Sequence, residues 1–297
     1  MATTWKRRLR RAGAPLLPFA VAVLLAACSG DFNIRQAMPP DAASTQGQAI
    51  SDVYTIVFVI GVSIFILVEG LILVAVLRFR RRRNQADLPP QIHGNLTLEV
   101  VWTAIPIMIV TFLFFLSWQT LNTISARAAE PPVRIGVIAY QWQWQFVYAP
   151  PDISWEDCGA QENTGTCVTV FGTPPANNDR TSWTPPQLHV PLGQTVELQM
   201  HSIDVIHSFY VPAFLFQRDI TPRADQVVQF TADRLGTYRG QCTQFCGLLH
   251  QQMEFQVVVQ SPADYQAWLQ GALAPVPSPA ASPTDGPGGS PAPSGQP

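Results

Sequence analysis

The sequence predicts a hairpin of two membrane-spanning helices followed by an all-β domain, and three observations carry that prediction. Two long apolar runs, Val53 to Leu77 and about Leu96 to Leu121, lie in the first half of the chain. Beyond Pro132 the pattern changes to short alternating runs punctuated by Gly and Pro. Across all 297 residues, 47% are hydrophobic and only 13% charged, a balance too apolar for an ordinary soluble protein. The formal net charge of -2 argues against nucleic acid as a partner.

The N-terminus comes first. Lys6, Arg7, Arg8, Arg10 and Arg11 form a basic stretch, and the apolar run from Ala14 to Ala27 is too short to span a bilayer comfortably. This reads as a signal peptide over residues 1–27. It ends Leu25-Ala26-Ala27-Cys28, which looks like a bacterial lipobox, so lipid is expected on the thiol of Cys28. Residues 28–51 read as a linker.

The hairpin is expected over residues 52–122, with helices at about 53–77 and 97–121. Arg78 and the Arg80–Arg83 block sit between the two runs, which places that loop on the cytoplasmic side. A signal peptide predicts the same orientation independently. The chain is therefore expected in a bacterial cell membrane, with everything after about Arg127 outside. Glu69, within the first run, is expected to face a partner subunit or a head group and is given no chemistry.

The outer domain is expected over residues 130–273. From Arg134 to Tyr148 the pattern alternates with period two, with Tyr140, Trp142, Trp144, Phe146 and Tyr148 on one face and Gln141, Gln143 and Gln145 on the other. Further strands are expected at Thr195–His201, Gln226–Thr231 and Glu254–Gln260, which suggests a sandwich or barrel. Ser261-Pro262-Ala263-Asp264 reads as a helix start, with the helix running from Tyr265 to Leu273. Residues 274–297 are rich in Pro, Ser, Gly and Ala and are expected to be disordered. Cys158 and Cys167 lie in a polar loop in a compartment that permits disulfides, and a bridge between them is expected to add about 2–3 kcal/mol.

The chemistry concentrates in Gly240-Gln241-Cys242-Thr243-Gln244-Phe245-Cys246-Gly247-Leu248-Leu249-His250-Gln251-Gln252-Met253. Thiols, an imidazole and a thioether this close select copper or zinc over hard cations. A further imidazole, His207, is available in Asp204-Val205-Ile206-His207-Ser208-Phe209, on a loop after an expected strand. A structural zinc site could use Cys242, Cys246, His250 and His207. A mononuclear blue-copper site needs only one thiolate. Disulfide exchange through C-x-x-x-C expects a βαβ pattern that is missing here, and a plain Cys242–Cys246 disulfide is the remaining option. Two bridging thiolates, one His on each metal, Met253 and a main-chain carbonyl fit a two-copper centre better than any of these.

This segment resembles the CuA loop of cytochrome c oxidase subunit II, and the His207 segment resembles that family's upstream ligand motif. His93-Gly94-Asn95, Leu98-Glu99-Val100-Val101-Trp102-Thr103 and Tyr140-Gln141-Trp142-Gln143-Trp144 extend the likeness over about Asp52 to Leu273. The resemblance implies a cupredoxin-like β-barrel holding two copper ions through His207, Cys242, the Gln244 carbonyl, Cys246, His250 and Met253. It implies Trp142 as the point of electron entry and Glu99 as an entrance residue for a proton path, where an acid can also stabilise the helix start. It implies electrons arriving from cytochrome c, soluble or membrane-bound, and passing to the haem and CuB of subunit I, where oxygen is reduced to water and protons are translocated. Subunit I and other oxidase subunits are the implied partners, alongside membrane lipid.

The chain departs from the family pattern at Gln244, where many members carry a Glu that helps hold magnesium at the subunit I boundary. That metal is expected to be weakly held or absent. Asp219-Ile220-Thr221-Pro222-Arg223 lacks the Pro-Gly often found there, and no C-x-x-C-H occurs for a fused c-type haem. A quinol oxidase subunit would lack the copper ligands. A copper-delivery lipoprotein would not need the hairpin with Glu99 and Trp102, and the copper domain of a nitrous oxide reductase would be soluble and joined to a large propeller. His189 and His201 match no ligand position and read as ordinary histidines.

Overall fold

The computed structural model describes residues 38–79, 93–150, 152–158, 166–173 and 184–274. The expected signal peptide, Cys28, the Arg80–Arg83 block and the tail beyond residue 274 lie outside these residues. The chain divides into two units: Met1–Ala126 with Pro212–Phe216, and Arg127–Val211 with Gln217–Pro297.

In the first unit, α1 spans Thr45–Arg78 and α2 spans Leu96–Ser125. Helix α1 begins well ahead of Val53, so the expected linker to residue 51 is a correction. The Ser44 hydroxyl accepts the Gly47 N–H at 3.0 Å, and this cap starts the helix within a polar stretch. At the other end, α2 runs past the expected Leu121 through Asn122–Ser125, until Ala126 turns extended. Both helices are apolar around their whole circumference, with mean hydropathy 2.8 and 2.3 in their most apolar windows. Only Gly47 is buried on α1 and no residue on α2. Such a surface has no stable place in water and suits lipid or partner helices. Ala43 N–H donates to the Ala213 carbonyl at 2.7 Å, tying the start of α1 to the 3-10 turn Pro212–Phe214.

The second unit is built on two five-stranded sheets. The strands are β1 (Val133–Tyr140), β2 (Gln143–Tyr148), β3 (Val168–Phe171), β4 (Gln187–Pro191), β5 (Thr195–Ser202), β6 (His207–Val211), β7 (Phe216–Ile220), β8 (Gln226–Thr231), β9 (Gly236–Cys242) and β10 (Glu254–Gln260). One sheet has the order β3-β2-β1-β5-β8 and the other β4-β10-β9-β6-β7. The β1–β5 and β10–β4 pairs are parallel, while β1–β2, β2–β3, β5–β8, β9–β10 and β6–β9 are antiparallel.

The alternating run from Arg134 to Tyr148 is two strands rather than one. It folds back at Gln141–Trp142, with Tyr140 paired to Gln143. Trp144, Phe146 and Tyr148 enter the core, while Trp142 sits in the turn, half-buried. The expected single aromatic face is therefore corrected: a two-residue turn exchanges odd and even positions, so Trp144, Phe146 and Tyr148 lie opposite Ala139, Val137 and Ile135, while Tyr140 shares the other face with Gln143.

Aromatic rings from both sheets fill the core beneath the ligand loop. Phe209 stacks on Phe255 at 4.5 Å between ring centres, and Trp144 meets them edge-on at 5.7 and 5.1 Å. Gly240 permits this packing: a Cβ there would lie 2.1 Å from the Phe255 ring. On the other face of the β1–β2 pair, Val147 is covered by Cys158 and Cys167, which are bridged. Helix α3 (Pro262–Leu273) is capped by Ser261, whose hydroxyl accepts the Asp264 N–H at 3.2 Å.

Trp144→Ala should lower stability by about 3–5 kcal/mol, the usual loss for a fully buried large aromatic. A denaturant titration checks it, with the midpoint falling at unchanged slope.

Candidate metal centre

The donors come from two strand ends and one loop. Strand β6 opens at His207 and β9 closes at Cys242, and the pairings Phe209↔Cys242 and Tyr210↔Gln241 bring those ends side by side. The chain then loops out and returns through the 3-10 turn His250–Gln252 to Met253. The Cys242 N–H donates to the Met253 carbonyl at 2.9 Å and closes the loop on itself.

Inside it, the Cys242 and Cys246 sulfurs stand 3.9 Å apart as free thiols. That separation excludes a disulfide, whose sulfurs lie about 2.05 Å apart. It suits thiolates sharing a metal, since sulfurs about 2.3 Å from one tetrahedral metal lie about 3.8 Å apart. His207 Nδ1 lies 3.9 Å from Cys242 Sγ and His250 Nδ1 lies 3.4 Å from Cys246 Sγ. Met253 Sδ is 3.8 Å from Cys246 Sγ, and the Gln244 carbonyl accepts from Cys242 Sγ at 3.2 Å. The ligand atoms of His207, Cys242 and Cys246 fall within 4.8 Å of one another. Soft sulfur, imidazole and one carbonyl, with His207, Cys242, Cys246 and Met253 buried, make a donor set for a thiophilic metal.

Burial, then the neighbouring Cys242, pushes the Cys246 thiol up to about 12. A metal bound here must therefore displace protons, and its affinity must rise with pH.

The surroundings fix the donors. His207 is fully buried, and its Nε2 lies 2.8 Å from Asp204 Oδ1. That leaves Nδ1 facing the thiols. Burial by itself would raise the Asp204 carboxyl, but His207 and the N–H groups of Gln141 and Val205 outweigh it and hold the group below the ordinary carboxylate range. Trp144 Nε1–H donates to the Met253 carbonyl at 3.3 Å, coupling core to loop. Trp142 Nε1–H donates to the Cys246 carbonyl at 3.2 Å, which sets the indole directly on the ligand loop.

The structure thus brings together His207, Cys242, Gln244, Cys246, His250, Met253 and Trp142. Glu99 is elsewhere, at the start of α2. Its carboxylate accepts the Asn95 N–H at 3.2 Å while Asn95 Oδ1 accepts the Leu98 N–H at 3.2 Å, a reciprocal cap. Cys158 and Cys167 form a disulfide away from the loop. Glu69 is exposed on α1. His189 is occupied by Trp268, stacked at 4.0 Å, and by Gln260, and His201 by Asp225 at 2.7 Å. Asp204 and Gln141 were not singled out from sequence. The signal for Asp204 was its position three residues before a candidate ligand; nothing local marks Gln141.

Comparison with known proteins bears on this donor set. Residues 18–120 match the model for the cytochrome C oxidase subunit II transmembrane domain, and residues 133–261 match that for its periplasmic domain. A probable cytochrome c oxidase subunit 2 of Streptomyces avermitilis is 35% identical over 223 residues, 69% of either chain. The chain belongs to the cytochrome c oxidase subunit II family. The family member from Thermostichus vulcanus, a cytochrome c oxidase subunit 2, is 30% identical over 251 residues, covering 77% of this chain and 76% of that one. The crystal structure of the periplasmic domain of subunit II from Bradyrhizobium japonicum is 23% identical at a TM-score of 0.39, covering 49% of this chain and 96% of that one. Membership makes the chain a component of a haem-copper terminal oxidase, with other oxidase subunits as partners. Helices α1 and α2 are transmembrane, and the β domain lies on the extracytoplasmic side. The family implies copper, which the donor set fits.

Asp204→Ala should weaken metal binding about 10–100-fold, the range found when a carboxylate behind a ligating His is removed. Retention of copper against a graded series of chelators measures it.

Proposed function

We propose that this chain is the electron-accepting subunit of its oxidase. It takes electrons one at a time from a cytochrome c, soluble or membrane-anchored, at a dinuclear CuA centre. It delivers them to the haem and CuB of subunit I for reduction of oxygen to water, coupled to proton translocation. The observation that carries the reading is the pair of free thiols 3.9 Å apart, each with an imidazole nitrogen beside it. One metal does not need both thiolates; two metals sharing them use every donor present.

Bound copper supplies the one-electron carrier. The chain's own residues do the rest. Cys242, Cys246, His207, His250, Met253 and the Gln244 carbonyl would hold the copper, the two thiolates as the strong shared donors and the thioether and carbonyl as the weak ones. The interior around Met253 and His207 excludes water, since both are fully buried. Trp142 serves as the entry side chain because its indole bonds to the ligand loop and remains half-exposed. Glu99 serves as the entrance to a proton path at the cytoplasmic start of α2, in addition to capping that helix.

Metal analysis and electron paramagnetic resonance of the purified oxidase test the centre. Two coppers assigned to this subunit, with one electron shared between them, are expected, and Cys246→Ser should abolish the shared signal. One copper with a four-line spectrum, or zinc held tightly in its place, rejects the dinuclear reading.

The Gln244 side chain is exposed and neutral, so it brings no charge to a hard cation that favours carboxylates. Gln244→Glu should raise magnesium or manganese binding in the assembled oxidase while leaving the copper spectrum nearly unchanged. Equilibrium dialysis with manganese measures the gain.

A further inference from the structure

The Cys246 carbonyl accepts two hydrogen bonds, from Trp142 Nε1–H at 3.2 Å and from the Gln141 side-chain amide at 2.7 Å. Gln141 is fixed in turn, because its backbone N–H donates to Asp204 Oδ2 at 2.7 Å. The next residue of the loop is Gly247, at φ +121, a conformation that favours glycine. A Cβ at Gly247 would lie 3.1 Å from Gln141 Nε2 and 3.2 Å from both Cζ2 and Nε1 of Trp142. A side chain there would crowd both the indole and the amide and would strain the backbone, so glycine favours their close approach to the loop.

We propose that Gln141 and Gly247 are positioning residues for Trp142, holding its indole N–H on the Cys246 carbonyl so that the Cys246 main chain bridges indole and thiolate. The inference rests on Trp142 as the point of entry. A tunnelling electron crosses a hydrogen bond and a few covalent bonds far more readily than an open gap. From the Cys246 carbonyl the bonded path is short: carbonyl carbon, Cα, Cβ, Sγ. One electron leaves the reduced haem of the cytochrome and arrives at the thiolate-bound metal, and no proton needs to move. Gly247 supplies the close approach. Gln141 occupies the second lone pair of the same oxygen, which fixes the plane of the carbonyl and keeps water from competing with the indole.

The test uses the assembled oxidase and flash-induced electron injection from cytochrome c. Trp142→Phe keeps a ring and removes the N–H; Gln141→Met keeps side-chain length and removes the amide; Gly247→Ala adds the methyl group. Trp142→Phe and Gln141→Met should each slow electron entry roughly tenfold with copper content and the copper spectrum unchanged; Gly247→Ala should slow it as well, with copper content measured alongside because its strained position lies in the ligand loop. Gln141→Met should have no further effect in a Trp142→Phe background, because the two act through one contact. A second readout needs no metal. In the copper-free full chain labelled with 5-fluorotryptophan, the resonance lost in Trp142→Phe identifies Trp142. Gln141→Met should move that resonance towards its solvated position and increase its solvent isotope shift. Unchanged electron entry in both Gln141→Met and Gly247→Ala, beside a slow Trp142→Ala, overturns the positioning role and leaves the entry role standing. Unchanged entry in Trp142→Ala overturns both. Additive losses in the Gln141→Met, Trp142→Phe pair also overturn the proposal.

Discussion

The pairing of β6 with β9 is the constraint on which the metal centre depends. It places His207 and Cys242 at neighbouring strand ends although 35 positions separate them in the chain. Everything in the ligand loop is measured from that anchor. The Cys242 N–H to Met253 carbonyl bond closes the loop, and Trp144 donates to the same carbonyl from the core below. A buried donor set is expensive to assemble from mobile segments, because each ordered residue costs about 1–2 kcal/mol of backbone entropy. Here the sheet meets that cost, and the aromatic stack of Trp144, Phe209 and Phe255 stabilises the sheet.

The donors were legible in the sequence because most of them share one short segment, where soft ligands at close spacing have few other uses. His207 was legible through its own local motif. The supports were not. Gln141 reaches Asp204 across 63 positions and Cys246 across 105, and no local pattern encodes a contact of that span. The turn at Gln141–Trp142 was hidden for a different reason: the aromatic–Gln alternation of the sequence runs straight through a turn that exchanges which positions face the core. Trp142 therefore read as a strand residue beside Trp144, whereas one lies on the loop and the other under it.

The helices show the same division between strong and weak signals. Their apolar spans follow directly from composition, since no other use suits residues that remain uncovered along such lengths. Their ends do not. Helix α1 starts at the Ser44 cap, inside a polar segment that hydropathy reads as a linker, and α2 continues through Asn122–Ser125 for as long as backbone geometry allows. At the entry to α2, the bonds between Asn95, Leu98 and Glu99 show how one carboxylate can complete a cap and still present charge at a membrane surface.

The two imidazoles are not equivalent. His207 is sealed from solvent and tied to Asp204, whereas His250 is partly open and sits beside the exposed Phe245 ring at 5.8 Å. The donor set is consequently asymmetric in access: solvent reaches it from the side of His250 and Gln244, while protein closes the side of His207.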